Sequence, residues 1–190
     1  GSEPIDVHWS HCGQHNVENA LAALAAARHV GIAPALAALA LQEFQGVKRR
    51  LELLGSPGDV AVYDDFAHHP TAIATTLQGL RARAGNGRVI ALVEPRSNTM
   101  RMGEHREQLA SATAAADCVY WFQPPGMDWS LESVVGASVV PATVVNDVDE
   151  LVLQVAGEAR PGDQVVIMSN GSFGGIHRKL LQQLQDAASR

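Results

Sequence analysis

The 190-residue sequence carries a formal net charge of −6 and is 46% hydrophobic, which suits one globular domain or slightly more. A charged fraction of 18% excludes a disordered or collagen-like chain, and no apolar run reaches the roughly 18 residues of a membrane span. Because the basic residues are scattered, the sequence offers no surface for generic nucleic-acid or anionic-membrane binding.

The first 45 residues predict one strand followed by two helices. Residues 5–10 alternate apolar and polar side chains, as a β-strand does. Half of the residues from 20 to 41 are alanine, interrupted by Gly31 and Pro34, which predicts two packed helices joined by a turn. We expect the leucines of this segment to pack on the rest of the chain, to pair with another copy or to be poorly ordered, and we favour self-association.

From Gly46 onward, strands alternate with helices. Four short apolar runs are typical of strands covered on both faces. They span residues 60–63, 89–93, 118–122 and 165–168. Helical spacing is found in residues 71–84, 104–116, 148–159 and 174–188. This alternation predicts an α/β fold with a mainly parallel sheet and helices on both faces.

Polar residues follow three of these strands, and the carboxyl ends of parallel strands meet at one edge of a sheet. The three segments are D-D-F-A-H-H-P at 64–70, E-P-R-S-N-T at 94–99 and S-N-G-S-F-G-G at 169–175. We expect a ligand site at this edge, although Asp, Ser, Asn and Gly also cap helices and form turns.

Taken singly, these residues leave several chemistries open. Asp65 and His68 suit a metal site, an acid/base pair or a hydrogen-bonded structural histidine. The glycines from Gly171 onward suit an anion site at the start of a helix, and the pair Arg49-Arg50 suits a phosphate clamp or a solvated surface. The sequence lacks the G-x-x-x-x-G-K-[ST], G-x-G-x-x-G and G-x-S-x-G motifs, which excludes those phosphate, dinucleotide and serine-hydrolase signatures.

The two cysteines, Cys12 and Cys118, stand outside any C-x-x-C pair, so neither a disulfide framework nor a zinc site is expected. Both are expected to be buried and unreactive, and a reducing cytoplasm suits such a chain. No signal peptide is visible, and the start at Gly1-Ser2 without Met indicates a piece of a longer protein.

Several motifs, in the right order, resemble those of the Mur ligase family, the ATP-dependent amide ligases of peptidoglycan synthesis. Residues 13–23 match G-x-H-N-x-x-N-A-L-A-A, residues 44–50 match F-x-G-V-x-R-R, and residues 64–70 resemble D-D-Y-A-H-H-P. Segments 94–103 and 169–177 look most like the members that reattach a recycled tripeptide to UDP-N-acetylmuramate. Phe66 departs from the family's Tyr, so a role for that hydroxyl is not carried over.

The resemblance covers the whole chain but only the last part of the family's three-domain layout. It implies that residues 1–45 end the central ATP-binding domain and that residues 46–190 form the C-terminal Rossmann-like domain. The family's phosphate loop, its magnesium-holding Glu and His, its modified Lys and its UDP-sugar domain have no counterpart here. We therefore expect no metal site in this chain and no activity from it alone.

The reaction that the resemblance implies joins L-Ala-γ-D-Glu-meso-diaminopimelate to UDP-N-acetylmuramate through an acyl phosphate, with ATP and Mg²⁺, in peptidoglycan recycling. UDP-N-acetylmuramate–L-alanine ligase is the close alternative within the family. A non-catalytic Rossmann-like module that binds a small anion is the alternative from another class.

By the same resemblance, both domains are expected to contact ATP, which would close one domain on the other. Asn19 takes the position that bonds the adenine edge, beside His15 and Asn16, and an amide can donate and accept in one plane. Four further residues take positions near the ribose and the phosphates. Asp65 would bind ribose hydroxyls, His68 would lie near the terminal phosphate, and Arg50 with the adjacent Arg49 would reach phosphate oxygens.

The incoming peptide is expected at the other strand ends. Arg96 would be the chief contact for a peptide carboxylate, because a guanidinium can bind two oxygens at once. The alternative is that Arg96 pairs with a neighbouring Asp or Glu and fastens the loop. Ser169 takes the position of a carboxylate-binding serine in related ligases. The remaining expected contacts are Ser97, Asn98, Thr99, Arg101 and Asn170.

Overall fold

The computed structural model describes residues 4–9, 11 and 13–189. The chain divides into two compact units, Gly1–Val47 and Lys48–Arg190. Cys12, for which burial is expected, lies outside the described residues. The assignment of residues 1–45 to the end of a central ATP-binding domain, and of residues 46–190 to a C-terminal one, stays a prediction.

The first unit contains two helices, α1 (Gln14–His29) and α2 (Pro34–Gln42), as the alanine-rich segment predicts. The turn between them uses Gly31 at φ 89°, a left-handed conformation that favours glycine. The strand expected over residues 5–10 is wrong for residues 5–9, which are irregular. The described part of this unit holds no other strand to pair with, and an isolated strand leaves its backbone groups without partners.

The two helices present their apolar side chains outward. Leu21, Leu36 and Leu39 are each 60% exposed or more, and Ala38 is the one buried residue in the described part of this unit. Self-association through these side chains stays a prediction.

The second unit is built on a six-stranded sheet with the order β1-β2-β6-β3-β4-β5. The strands are β1 (Glu52–Gly55), β2 (Ala61–Asp65), β3 (Val89–Val93), β4 (Cys118–Phe122), β5 (Ala142–Val145) and β6 (Gln164–Met168). β1 is antiparallel to β2, and all other pairs are parallel. The four predicted strands are confirmed, whereas the edge strands β1 and β5 were missed because they are four residues long and only partly buried.

The described part of the second unit contains six helices, of which five lie between strands and the last follows β6. They are α3 (Pro70–Ala84), α4 (Asn98–Arg101), α5 (Arg106–Ala112), α6 (Glu132–Gly136), α7 (Val148–Glu158) and α8 (Ile176–Ala188). Single 3₁₀ turns occur at Pro57–Asp59 and Phe173–Gly175. The last helix begins later than predicted because Gly174 and Gly175 have φ of 56° and 73°, which a right-handed helix does not accommodate.

Each face of the sheet has its own core, so the predicted α/β fold with helices on both faces is confirmed. Alternate residues of β3 point to opposite faces, as strand geometry requires: Ala91 lies in the core that contains Leu77 and Leu109, and Leu92 in the core that contains Leu151 and Leu180. No helix in the described part of the chain is both long and apolar enough to cross a membrane.

Candidate functional site

Three neighbouring parallel strands, β2, β6 and β3, end at one edge of the sheet, which we call the carboxyl edge. Asp65 pairs with Met168, and Met168 pairs with Val93, so the segments after these strands start side by side, as predicted. Buried polar side chains concentrate here. They are Asp64, Asp65, Glu94 and Ser169.

Arg49 joins the segments after β2 and β6. Its Nε lies 3.2 Å from Oδ2 of Asp64, and its Nη2 donates to the carbonyl oxygens of Ser169 and Gly171, the second at 2.9 Å. Its Cζ is 4.9 Å from the centroid of the Phe66 ring. Since these contacts occupy most of the donors of a guanidinium, Arg49 holds the edge together and is not an open phosphate clamp in this structure.

Arg50 differs from its neighbour. Its side chain is exposed, its Cζ lies 6.0 Å from the Phe66 ring, and it makes no ion pair within the described residues. Of the two arginines predicted to reach phosphate, Arg50 is the one whose donors are available to a ligand.

The carboxylate of Asp65 is enclosed by donors from its own unit. Oδ1 accepts from the Ala67 N–H at 2.7 Å and from the Thr76 hydroxyl at 3.3 Å, and Oδ2 accepts from the Leu51 N–H at 2.7 Å. Burial raises the pKa of this carboxyl, while those bonds and the charge of Arg50 act in the opposite direction. A ribose contact stays a prediction, and it would have to share oxygens that already order the start of β1 and the turn into α3.

His68 and His177 lie beside this carboxylate-rich segment. His68 is half-buried, and its Nδ1 lies 2.9 Å from the carbonyl oxygen of Phe66, so a place near a terminal phosphate stays a prediction. Nε2 of His177 lies 3.1 Å from Oδ1 of Asp64, an ion-pair distance without hydrogen-bond geometry. The sequence analysis assigns no role to His177, which is the last residue of segment 169–177 after β6.

The segment after β3 begins the short helix α4. Ser97 caps it, since its hydroxyl accepts from the Met100 N–H at 3.4 Å, and the Thr99 hydroxyl lies 3.3 Å from the Ser97 hydroxyl. Asn98 and Thr99 are exposed. Arg101 donates to the Gly126 carbonyl oxygen at 2.9 Å, so part of its guanidinium anchors the loop after β4.

Arg96 is exposed at the carboxyl edge and lies against Gly171. A Cβ placed on Gly171 would stand 2.6 Å from Cζ of Arg96, so the side chain lies directly over the glycine. Within the described residues Arg96 forms no ion pair with an acidic side chain. The described residues thus contain no Asp or Glu that fastens Arg96, as the alternative interpretation would require.

Ser169 and Asn170 contribute in different ways. Ser169 is fully buried; its hydroxyl donates to the Glu94 carboxylate and accepts from the Gly171 N–H at 2.9 Å. That hydroxyl fixes the loop after β6, and binding a peptide carboxylate stays a prediction for it. Asn170 is half-buried, and its Oδ1 has no hydrogen-bond partner in the part of the chain that the structure describes.

In the first unit, the residues expected at the adenine lie at the start of α1. His15 and Asn16 are in its first turn and Asn19 follows one turn later, a spacing that places all three on one side of the helix. Nδ1 of His15 is buried without a hydrogen-bond partner among the described residues. Adenine binding by these three residues stays a prediction.

An open depression of about 560 Å³ lies further along the same edge, beyond β4 and β5. Its charged lining residues are all acidic: Asp128, Glu132 and Glu150. An anionic ligand is repelled there, so the arginines around β2, β6 and β3 mark the part of the edge that suits anions.

Comparisons with known proteins agree with this architecture. The family model described as Mur ligase, glutamate ligase domain, matches residues 49–171. The UDP-N-acetylmuramate–L-alanyl-gamma-D-glutamyl-meso-2,6-diaminoheptandioate ligase of Escherichia coli (strain K12) is 51% identical over 99% of this chain and 41% of its own length. The UDP-N-acetylmuramate–L-alanine ligase of Mycobacterium sp. (strain JLS) is 38% identical over 100% of this chain and 41% of its own length.

Among solved structures, a murein peptide ligase from Psychrobacter arcticus 273-4 is 45% identical, with a TM-score of 0.73, over 95% of this chain and 39% of that one. The chain thus spans about two fifths of the length of the relatives it matches. Since the family model covers most of the sheet and the three strand ends that form the carboxyl edge, the chain belongs to the Mur ligase family.

Proposed function

We propose that the chain is the C-terminal part of an ATP-dependent ligase that joins L-Ala-γ-D-Glu-meso-diaminopimelate to UDP-N-acetylmuramate. The carboxyl edge of its sheet binds the incoming peptide, and the chain closes over ATP held mainly by the rest of the enzyme. The relatives are more than twice as long as this chain, so the phosphate loop, the magnesium ligands and the UDP-sugar site are assigned to the part outside it.

The observation that carries this proposal is the exposed guanidinium of Arg96 after β3, which forms no ion pair with any described residue. The peptide named for the Escherichia coli relative carries several carboxylates, and a planar guanidinium can bind a carboxylate through two parallel hydrogen bonds. Asn98 and Thr99 are exposed and supply further donors. The Ser97 hydroxyl instead donates to the His68 carbonyl oxygen at 3.4 Å. Holding the peptide there would orient its amine toward the activated muramate, and such positioning is worth roughly 7–11 kcal/mol of a reaction barrier.

ATP is the second substrate, and the residues of the second unit that were predicted to bind it differ in how available their side chains are. Arg50 is exposed, forms no ion pair with the described residues and suits a phosphate, whereas Arg49 and Asp65 are engaged by internal contacts. We therefore assign Arg50 the phosphate contact and give Arg49 and Asp65 the task of shaping the segments around it. No group of three His, Cys, Asp or Glu side chains in the described residues is arranged to hold a metal, and Mg²⁺ is assigned to the remainder of the enzyme.

The L-alanine ligase is the second candidate, and the 38% identical relative is the observation in its favour. The higher identity of 51% to the peptide-adding ligase favours the tripeptide. The two candidates differ in the acceptor amine, so the choice of acceptor distinguishes them.

The test measures phosphate release by a full-length ligase carrying this chain, with ATP, UDP-N-acetylmuramate and either the tripeptide or L-alanine. We expect kcat/KM for the tripeptide to exceed that for L-alanine by about 100-fold or more, because L-alanine leaves most polar groups of a peptide site unpaired. The 190-residue chain alone is expected to release no phosphate.

Two results would contradict the proposal. A preference for L-alanine identifies the other ligase, and turnover by the isolated chain at an enzyme-like rate refutes the assignment of the phosphate loop and magnesium to another part. A full-length enzyme with Gly157→Ala, a change on α7 with open space around it, controls for nonspecific effects of substitution.

A further inference from the structure

Gly171 lies between two arginines that differ in their surroundings. Its carbonyl oxygen accepts from Nη2 of Arg49 at 2.9 Å, and its N–H donates to Oγ of Ser169 at 2.9 Å. Its Cα faces Arg96, where a Cβ would meet Cζ at 2.6 Å and would come closer still to Nη1 and Cδ. Real Cβ atoms do not come within 3.0 Å of such neighbours. The position of Arg96 in this structure is thus open to it only because residue 171 has no side chain.

The glycine is required for space and not for backbone conformation. Ten glycines of the described residues have positive φ, and Gly171 is not among them. An alanine at this position would not be forced into the left-handed region, and the three atoms that its Cβ would meet first all belong to Arg96.

The loop that carries Gly171 cannot easily move to relieve that collision. Both backbone polar groups of the glycine are bonded, and Ser169 is itself buried and bonded to the Glu94 carboxylate. Arg49 is fastened at its other end to Asp64. Arg96, by contrast, is an exposed side chain with several rotatable bonds, so Arg96 is the group that would yield.

We propose that Gly171 is a positioning residue for peptide binding, because it forms the floor that sets where the guanidinium of Arg96 lies. This inference rests on the proposed function, in which Arg96 binds a carboxylate of the peptide. Two-point binding of a carboxylate depends on the orientation of the guanidinium plane. A methyl group under Arg96 tilts or displaces that plane and removes one of the two hydrogen bonds.

The test compares Gly171→Ala, Arg96→Ala and the double variant in the full-length ligase, with Gly157→Ala as the matched control. All four are assayed for kcat, for the KM values of the tripeptide and of ATP, and for melting temperature. We expect Arg96→Ala to raise the tripeptide KM about tenfold or more. Gly171→Ala should raise it about threefold to tenfold, with kcat, the KM for ATP and the melting temperature close to those of the control.

The double variant separates positioning from any other role of Gly171. Because the glycine acts through Arg96, the double variant should have the tripeptide KM of Arg96→Ala alone. A multiplicative increase in the double variant, an unchanged KM in Gly171→Ala, or a fall in its melting temperature below that of the control each overturns the inference while leaving the proposed function intact. An unchanged KM in Arg96→Ala overturns the role of Arg96 and the inference with it.

Discussion

Apart from Arg49, which is paired with Asp64, the arginines at the carboxyl edge differ from those at the amino edge, where the parallel strands begin. At the amino edge, Arg88 binds the buried carboxylate of Asp163 through both Nε and Nη2, and Arg81 is paired with Asp117. At the carboxyl edge, Arg96 and Arg50 form no ion pair among the described residues. Compensated charges fix the ends of strands, whereas uncompensated charges at a solvent-exposed edge are available to an anionic ligand.

Two acidic residues of the carboxyl edge show the same contrast, whereas Asp64 is paired with Arg49. Asp163 accepts from Arg88 and from the Arg160 N–H at 2.8 Å, so at the amino edge an acid neutralises an arginine. At the carboxyl edge Asp65 and Glu94 are held by backbone N–H groups and hydroxyls. These hydrogen bonds satisfy the carboxylate oxygens without an ion pair to Arg50 or Arg96, although the charge of Arg50 still lowers the pKa of Asp65.

The largest effect is expected at the amino edge, from Asp163→Ala. Removing this buried carboxylate leaves Arg88 and the Arg160 N–H without their acceptor, which should lower the free energy of unfolding by about 3 kcal/mol, the lower end for a broken buried pair because Arg88 is partly exposed. Urea denaturation measures it. The tripeptide KM of the folded full-length enzyme should stay at the wild-type value, and a rise in that KM at unchanged stability would contradict the division of roles between the edges.

A smaller effect should separate the two neighbouring arginines of the carboxyl edge. Arg49→Lys loses the fork that bonds Asp64 and two carbonyl oxygens, and should lower the free energy of unfolding by about 1–2 kcal/mol. Arg50→Lys should leave stability unchanged and raise the KM for ATP about threefold to tenfold. Melting curves and ATP kinetics are measured for both variants. Equal stabilities and equal KM values for ATP would show that Arg49 does not have the structural role assigned to it.

This pair also marks the limit of prediction from sequence. The alternation of strands and helices predicted the sheet and its carboxyl edge, because strands buried on both faces leave continuous apolar runs. The local sequence around Arg49 and Arg50 does not show which arginine forms internal hydrogen bonds. The acceptors, the carbonyl oxygens of Ser169 and Gly171, are about 120 residues away in the chain. The outer strands β1 and β5 were not predicted for a related reason. They form by pairing with β2 and β4, and the hydrophobicity of their own four residues does not indicate a strand.

Ser169 shows the same limit within the site. A serine after a strand end suits a carboxylate contact by residue type, and only the packed structure shows that its hydroxyl already joins Glu94 to Gly171. Conversely, the position of Gly171 under Arg96 has no signal in local sequence, because it depends on the approach of two loops from β3 and β6.

Arg96→Lys probes the uncompensated charge directly. Lysine keeps the positive charge but cannot form two parallel hydrogen bonds with a carboxylate. We expect the tripeptide KM of the full-length enzyme to rise about tenfold, equivalent to about 1.4 kcal/mol, with the KM for ATP and the melting temperature little changed. A lower melting temperature with a steady tripeptide KM would make Arg96 structural, like the arginines of the amino edge.

The smallest expected effect is a pH dependence at Asp65, where burial raises the carboxyl pKa above its ordinary value of 3.8. A group whose pKa is higher in the folded state binds its proton more tightly there, so its contribution to stability is complete below 3.8 and is lost as pH rises through the folded-state pKa. The measurement is the free energy of unfolding of the wild type minus that of Asp65→Asn, by urea denaturation from about pH 3 to pH 7. This difference should fall with rising pH.

An Arg50 variant is the control for this pH dependence, because the charge of Arg50 lowers the pKa of Asp65 and so opposes the effect of burial. Arg50→Gln removes this charge and should raise the folded-state pKa of Asp65. The difference in unfolding free energy between Asp65 and Asp65→Asn proteins should then continue to fall up to a higher pH. Added salt should raise the pKa of Asp65 in the wild type too, because it screens the charge of Arg50. A difference that instead grows with pH would mean that the bonds from Leu51, Ala67 and Thr76, together with Arg50, outweigh burial. The uncompensated charge of Arg50 would then be stabilising Asp65 strongly, and the carboxyl edge would resemble the amino edge more closely than the geometry indicates.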